Sequence, residues 1–166
     1  MIAPLQTDVF TTVRTFLLSL FPTVEVIHGL GNGTPTPLNG FIAFTPLFMS
    51  RVNTNENSFQ DPTPTTGTKK SAAGIQYTFQ IDCYGNDSAN WAAEISTMWR
   101  DEYACTIMGN TCQPLYADEP KMMPLISGEQ NYVQRWTITA ELQYNPITTT
   151  PMEFFDAQGT TTLNPN

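Results

Sequence analysis

Charge is what this chain has least of. Asp, Glu, Lys and Arg make up 13% of its 166 residues, about half of the roughly 25% usual in globular domains. The exterior must therefore be covered by Thr, Asn, Gln, Ser and Pro. Such a surface suits a subunit that loses much of its exterior in an assembly, and secreted β-proteins share it. The shortage is also lopsided: seven Lys and Arg against fifteen Asp and Glu leave a formal charge of −8. That balance disfavours a nonspecific nucleic-acid binder, which needs clustered cations to neutralise phosphates. An acidic wall past which DNA slides without sticking is compatible with it.

Other absences narrow the chemistry. His28 is the only histidine, which excludes His-rich metal centres. No G-x-S-x-G accompanies it, and at the end of a strand it reads as structural. The three cysteines lack C-x-x-C spacing, so a zinc ribbon is excluded. Cys83 reads as a small buried hydrophobe. Cys105 and Cys112 flank Gly109-Asn110, a spacing that admits a pair across the turn, although reduced cytoplasmic thiols are the expectation. The long apolar run, Thr15 to Phe21, is too short for a bilayer, and the N-terminus lacks the features of a signal peptide. No membrane span and no secretion are expected, and the sequons at Asn32 and Asn86 then carry no meaning. Gly29 to Pro37 is rich in glycine, but its spacing and prolines exclude a phosphate-binding loop. Asp101-Glu102 and Asp118-Glu119 are adjacent pairs whose side chains diverge, so neither forms an acid–base couple. The sequence therefore predicts no catalytic residue, no metal and no cofactor: the protein is not an enzyme.

What is present is periodicity. Ile75, Tyr77, Phe79, Ile81 and Cys83 alternate with Gln76, Thr78, Gln80 and Asp82, the mark of a strand with one face on a core. Gly85-Asn86-Asp87-Ser88 breaks it, with Asp87 or Ser88 placed to cap a helix. Trp91, Ile95, Met98, Trp99 and Tyr103 then form one helical stripe. Strand, turn and helix make the nucleus of the fold. A second alternating strand, Tyr132 to Asn145, puts Trp136, Ile138, Ala140, Leu142 and Tyr144 on one face. It has the length and one-sidedness of an antiparallel partner. Upstream, Leu5, Val9, Phe10, Val13, Phe16, Leu17, Leu20 and Phe21 predict an amphipathic helix stopped by Pro22. Short strands are expected over Thr23–His28, Phe41–Phe48 and Pro114–Pro120. Pro46 confines its strand to an edge or a bulge.

Between Arg51 and Gly74 the chain turns polar and loses its period. Such a stretch is a functional loop or a disordered segment. It reads either as a floppy hairpin tip or as an arm that orders when a neighbouring subunit arrives. The fold class expected is α+β, a mainly antiparallel sheet flanked by two amphipathic helices, with this long protruding loop. Residues 1–156 form the single domain, with 51–74 as the loop or arm. Residues 157–166 form a flexible tail, and Phe154 and Phe155 are free to dock on the domain or on another subunit. Charged or aromatic groups stranded outside any core period are the candidate contact residues: Arg51, Phe59, Asp61, Lys69 and Lys70 in the loop, and Tyr116, Asp118 and Glu119 beyond the helix.

Ile81 to Tyr103, Pro114 to Pro120 and Gln134 to Pro146, together with Thr45-Pro46, Arg51 and Thr54-Asn55, resemble the neck or tail terminator proteins of tailed bacteriophages. The resemblance reaches to about Phe155. It implies a small α+β virion subunit without catalytic residues. Copies would close a homo-hexameric ring on the tail tube, end tube growth and join the tail to the head connector. The partners implied are the tail tube protein, the head–tail connector or adaptor and, where the tail is contractile, the sheath. DNA would pass through the bore without specific binding, and assembly would take place in the bacterial cytoplasm. The alternatives from the sequence are another head–tail completion or minor tail protein or, in a different class, a secreted carbohydrate-binding domain.

Overall fold

The computed structural model describes residues 2–29, 31, 37, 39–63, 66–126 and 132–152. The expected flexible tail, Phe154 and Phe155, the turn at Ser127-Gly128-Glu129 and most of the Gly-rich connection lie outside them. In chain order the elements are β1 (Ile2–Ala3), α1 (Gln6–Leu20), β2 (Glu25–His28), β3 (Phe41–Arg51), β4 (Glu56–Thr63), β5 (Thr66–Ala72), β6 (Ile75–Tyr84), α2 (Ser88–Trp99), α3 (Glu102–Met108), β7 (Gln113–Ala117), β8 (Lys121–Met122), β9 (Leu125–Ile126), β10 (Tyr132–Val133), β11 (Arg135–Tyr144) and β12 (Ile147–Met152).

The body is a sheet ordered β2-β3-β6-β11-β7, with β8 also on β11. The two long alternating strands are its centre: β6 and β11 pair antiparallel in unbroken register from Ile75↔Tyr144 to Tyr84↔Arg135. Only β2 and β3 run parallel. Register aligns the apolar rows Ile42–Cys83–Trp136 and Phe44–Ile81–Ile138, and then Phe79–Ala140 and Tyr77–Leu142. All three helices bury their stripes on that face, as α1 does with Val9, Val13, Phe16 and Leu17, and α2 with Ala92, Ile95 and Trp99. Trp99 fixes the stack. Its ring meets Phe16 edge to face at 5.4 Å, and its indole N–H donates to the Glu141 carbonyl at 3.0 Å, so a bulky group is buried with its one donor satisfied.

Three local details depart from the sequence expectation. The stripe from Trp91 to Tyr103 is two helices instead of one. The chain breaks at Arg100-Asp101, where Arg100 turns to the Ala117 carbonyl and the Asp101 carboxylate caps α3 by accepting the Tyr103 N–H at 2.8 Å. At the start of α2 neither expected side chain caps an N–H. Asp87 occupies the cap position without a side-chain bond, and the Ser88 hydroxyl donates back to the Gly85 carbonyl at 2.5 Å. Gly85 itself sits at φ +112 against Gly40, a backbone and a closeness that a side chain would not permit. The third difference is the segment 51–74. Read as a polar loop, a hairpin tip or an arm, it holds two regular strands, β4 and β5, paired antiparallel from Glu56↔Ala72 to Thr63↔Thr66.

Pro46 falls where expected, at a register shift between Pro46 and Phe48 in β3. The body strands continue into a second sheet. β3 leads to β4, β5 leads back to β6, and β11 leads to β12, which pairs with β5. Short interruptions at 52–55, 73–74 and 145–146 separate the two sheets, and the Ala73 N–H bonds to the Pro146 carbonyl there. The second sheet, ordered β1-β12-β5-β4, is therefore an arm extending from the body's own strands.

Candidate functional site

The arm has no second layer: among the described residues no helix packs on it to a substantial extent. β4 is exposed along its described side chains, and β12 nearly so. The ladder alone holds the arm together, because its residues have no apolar face to bury. Ser71 Oγ donates to Asn57 Oδ1 at 2.8 Å, and Thr63 and Thr66 share a hydroxyl contact at the tip. Residues paired across strands share a face. Phe59, Lys69 and Thr150 therefore lie on one side, and Ser58, Lys70 and Thr149 on the other. Phe59 is 61% exposed.

Five candidate contact residues come together here: Arg51 at the root, Phe59 and Asp61 on β4, and Lys69 and Lys70 on opposite faces of β5. None of their charges forms an ion pair among the described residues. Three cations against Glu56 and Asp61 give residues 51–74 a net +1, which leaves −9 on the rest of a chain of −8.

Tyr116, Asp118 and Glu119 are placed elsewhere, at the β7 side of the body sheet. Asp118 is occupied by its own chain: Oδ1 accepts the Thr139 N–H at 2.6 Å and Oδ2 pairs with Lys121 Nζ at 2.8 Å. Glu119 pairs with Arg100 at 3.2 Å, and Tyr116 lies under the Arg100 guanidinium, 4.7 Å from ring centroid to Cζ. These residues hold the β7–β8 corner. Tyr116, together with exposed Leu115, Met122 and Met123, still leaves that corner apolar outside.

Both outer strands of the body sheet have carbonyls taken up by arginine. Arg14 Nε donates to the Val26 carbonyl on β2 at 3.3 Å, and Arg100 donates through Nε at 2.9 Å and through a terminal nitrogen to Ala117 on β7. One carbonyl on each outer strand is thereby engaged by its own chain. On β4, by contrast, no described side chain bonds the outer edge.

Sequence reasoning missed one feature. Thr7, Phe10, Thr11, Arg14, His28 and Phe44 line an open, mostly apolar cleft of about 310 Å³ between α1 and the β2–β3 pair. Phe10 packs on His28 at 4.8 Å and on Phe44 at 6.3 Å, and the buried His28 Nε2 has no hydrogen-bond partner among the described residues. In the sequence, the helical interval of Thr7, Thr11 and Arg14 marks only its α1 wall, a polar stripe beside an aromatic. Arg14 has no carboxylate partner among the described residues.

The face of the body sheet away from the helices is polar but not fully wet. Asp82, 4% exposed, pairs with Arg135 at 3.0 Å and accepts from Thr137 Oγ1 at 2.7 Å and Gln80 Nε2 at 2.9 Å. Burial pushes the Cys83 and Cys112 thiols up to about 12, Cys83 also through the neighbouring Asp82 charge. All three cysteines are free thiols, with Cys105 exposed. Among the described residues no three His, Cys, Asp or Glu gather as metal ligands, and no helix is long and apolar enough to cross a membrane.

No curated protein matches the chain. A family of structural virion proteins does, across residues 7–166, so that all but β1 and the first residue of α1 fall within the match. The chain belongs to the phage neck terminator protein family.

Proposed function

We propose that this protein is the tail terminator itself: a subunit whose copies close a ring on the end of the tail tube, stop its polymerisation and join it to the head connector. Membership of the neck terminator family supports a structural role in the tail or neck of the virion. The observation that carries the ring is the bare arm. A one-layer sheet with an open outer strand and unpaired cations is incomplete by itself, and the natural partner for it is the next copy. A head-to-tail contact of this kind closes into a ring when its rotation permits.

Arg51, Phe59, Asp61, Lys69 and Lys70 are the residues of this contact, and Tyr116 and Glu119, with Asp118 bracing them, form a smaller second one. The two ring faces differ, one meeting the tube protein and the other the connector, with the sheath alongside in a contractile tail. DNA passes through a bore lined by the body; the chain outside residues 51–74 carries a surplus of nine negative charges, which repels phosphate. The arm, with its net positive charge, points away from it. Assembly takes place in the host cytoplasm.

Deleting Asn55–Ser71 tests this. The expected product is a folded monomer, by circular dichroism and sizing, that no longer assembles or caps tails. Normal rings on tails by electron microscopy would end the proposal.

A further inference from the structure

We propose that the cleft between α1 and the β2–β3 pair receives Phe59 from the arm of a neighbouring copy. The idea rests on the ring reading above and specifies the contact. The cleft is apolar and open, with Phe10 and Phe44 in its walls. The arm offers one large aromatic, Phe59, 61% exposed on a strand whose described neighbours are polar. Among the described residues neither group has a counterpart that satisfies it.

Charges on both sides fit the same docking. Arg14 lines the cleft without a described carboxylate partner, and Asp61 follows Phe59 by two residues without a described cation. Lys69 lies directly across from Phe59 on the same face of the arm. Asp8, also on α1, is taken up by the Leu5 N–H at 2.7 Å and lies outside the cleft wall, which leaves Arg14 as the charge the cleft presents. Seating Phe59 with β4 running toward Arg14 sets Asp61 beside that guanidinium, an opposite-sign pair. The reverse orientation would set Lys69 against Arg14.

The arginine-occupied strand edges supply the complementary reason. The Val26 and Ala117 carbonyls already accept from Arg14 and Arg100, so a strand added to the body sheet would compete with these arginines wherever it reached them. Docking a side chain into the cleft uses no strand edge. Arm and cleft are different surfaces, so the contact is head to tail and can propagate past a dimer.

Cross-linking tests it. In a Cys105→Ser background, Phe59→Cys and Thr11→Cys are combined; both positions are exposed, so the fold tolerates them. Because Phe59→Cys removes the anchor, the double variant is held well above the raised assembly concentration, where mild oxidation is expected to trap the arm in the cleft as a covalent ladder beyond dimer. Either single variant should give dimers at most. In parallel, Phe59→Ala should raise the concentration for half-assembly by at least about tenfold, as loss of a buried aromatic anchor does. Rings that form normally yet yield no ladder would overturn the arm-in-cleft contact while leaving the terminator reading intact. A fast-migrating, internally cross-linked monomer would overturn it too, by showing the arm folded onto its own cleft. If the unmodified protein neither assembles at any concentration nor appears on tails, the ring reading itself fails.

Discussion

The body and the arm are made from the same strands yet held together by different forces. β6 and β11 enter the body as alternating sequence and β3 as the buried run Phe41–Phe44, and helices cover the apolar face. The same chain, continued into β4, β5 and β12, keeps its backbone ladder and loses its core. Burial stabilises by roughly 25 cal/mol per Å² of apolar surface, whereas a hydrogen bond exchanged with water contributes about 1 kcal/mol net. The body is therefore stable in isolation, and the arm is ordered largely by its attachment. A surface that is ordered but not buried is suited to binding.

Truncating one aromatic in each region should separate them most sharply. Trp99→Ala, at a site 1% exposed, should cost about 3–5 kcal/mol in denaturant unfolding of the monomer, through lost burial and the cavity left. Phe59→Ala, outside any core, should change the same measurement by less than about 0.5 kcal/mol and act on assembly. Comparable losses of monomer stability would erase the distinction.

A smaller effect is expected on the polar face. Asp82→Ala leaves Arg135 and the Thr137 hydroxyl without their acceptor and should cost roughly 3 kcal/mol. Adding Arg135→Met should recover part of it, because no partly buried cation then remains unpaired. A double variant that is worse by the full sum of the two would show that the pair is not coupled.

The smallest effect is in the thiols. Cys83 and Cys112, held near 12, stay protonated at neutral pH in folded and unfolded chains alike, so they leave stability there unchanged. As pH rises past the ordinary thiol range the unfolded chain loses protons that the folded one retains. Stability should then fall between about pH 9 and the folded value of about 12. At pH 8 a thiol reagent should find one fast site, Cys105, and two that react only on unfolding. Three equally fast sites would contradict the burial of the other two.

Much of the body was legible because its signals are local. The alternation of β6 and β11, the stripe of α1 and the stop at Pro22 each lie within a dozen residues or so, and Pro46 announced its bulge. The break between α2 and α3 was not legible. Trp99 and Tyr103 hold a continuous stripe, and what divides it is a long-range bond from Arg100 to Ala117. The eight contact candidates were chosen for lacking a core period. Five of them lie on the arm or at its root, and the same criterion could not see that Asp118 braces its own corner.

Hydrophobic spacing alone determined that this chain would make helices over a largely antiparallel sheet, because an apolar stripe must be hidden wherever it occurs. Only the tertiary structure decided that the polar stretch after Arg51 would be strands. Thr, Asn, Ser and Lys show no periodicity when neither face is buried, and their extended form depends on β12, some eighty residues away in sequence, supplying the other half of the ladder. The cleft was likewise beyond the sequence, since its walls come from α1, β2 and β3 and exist only once those elements have packed.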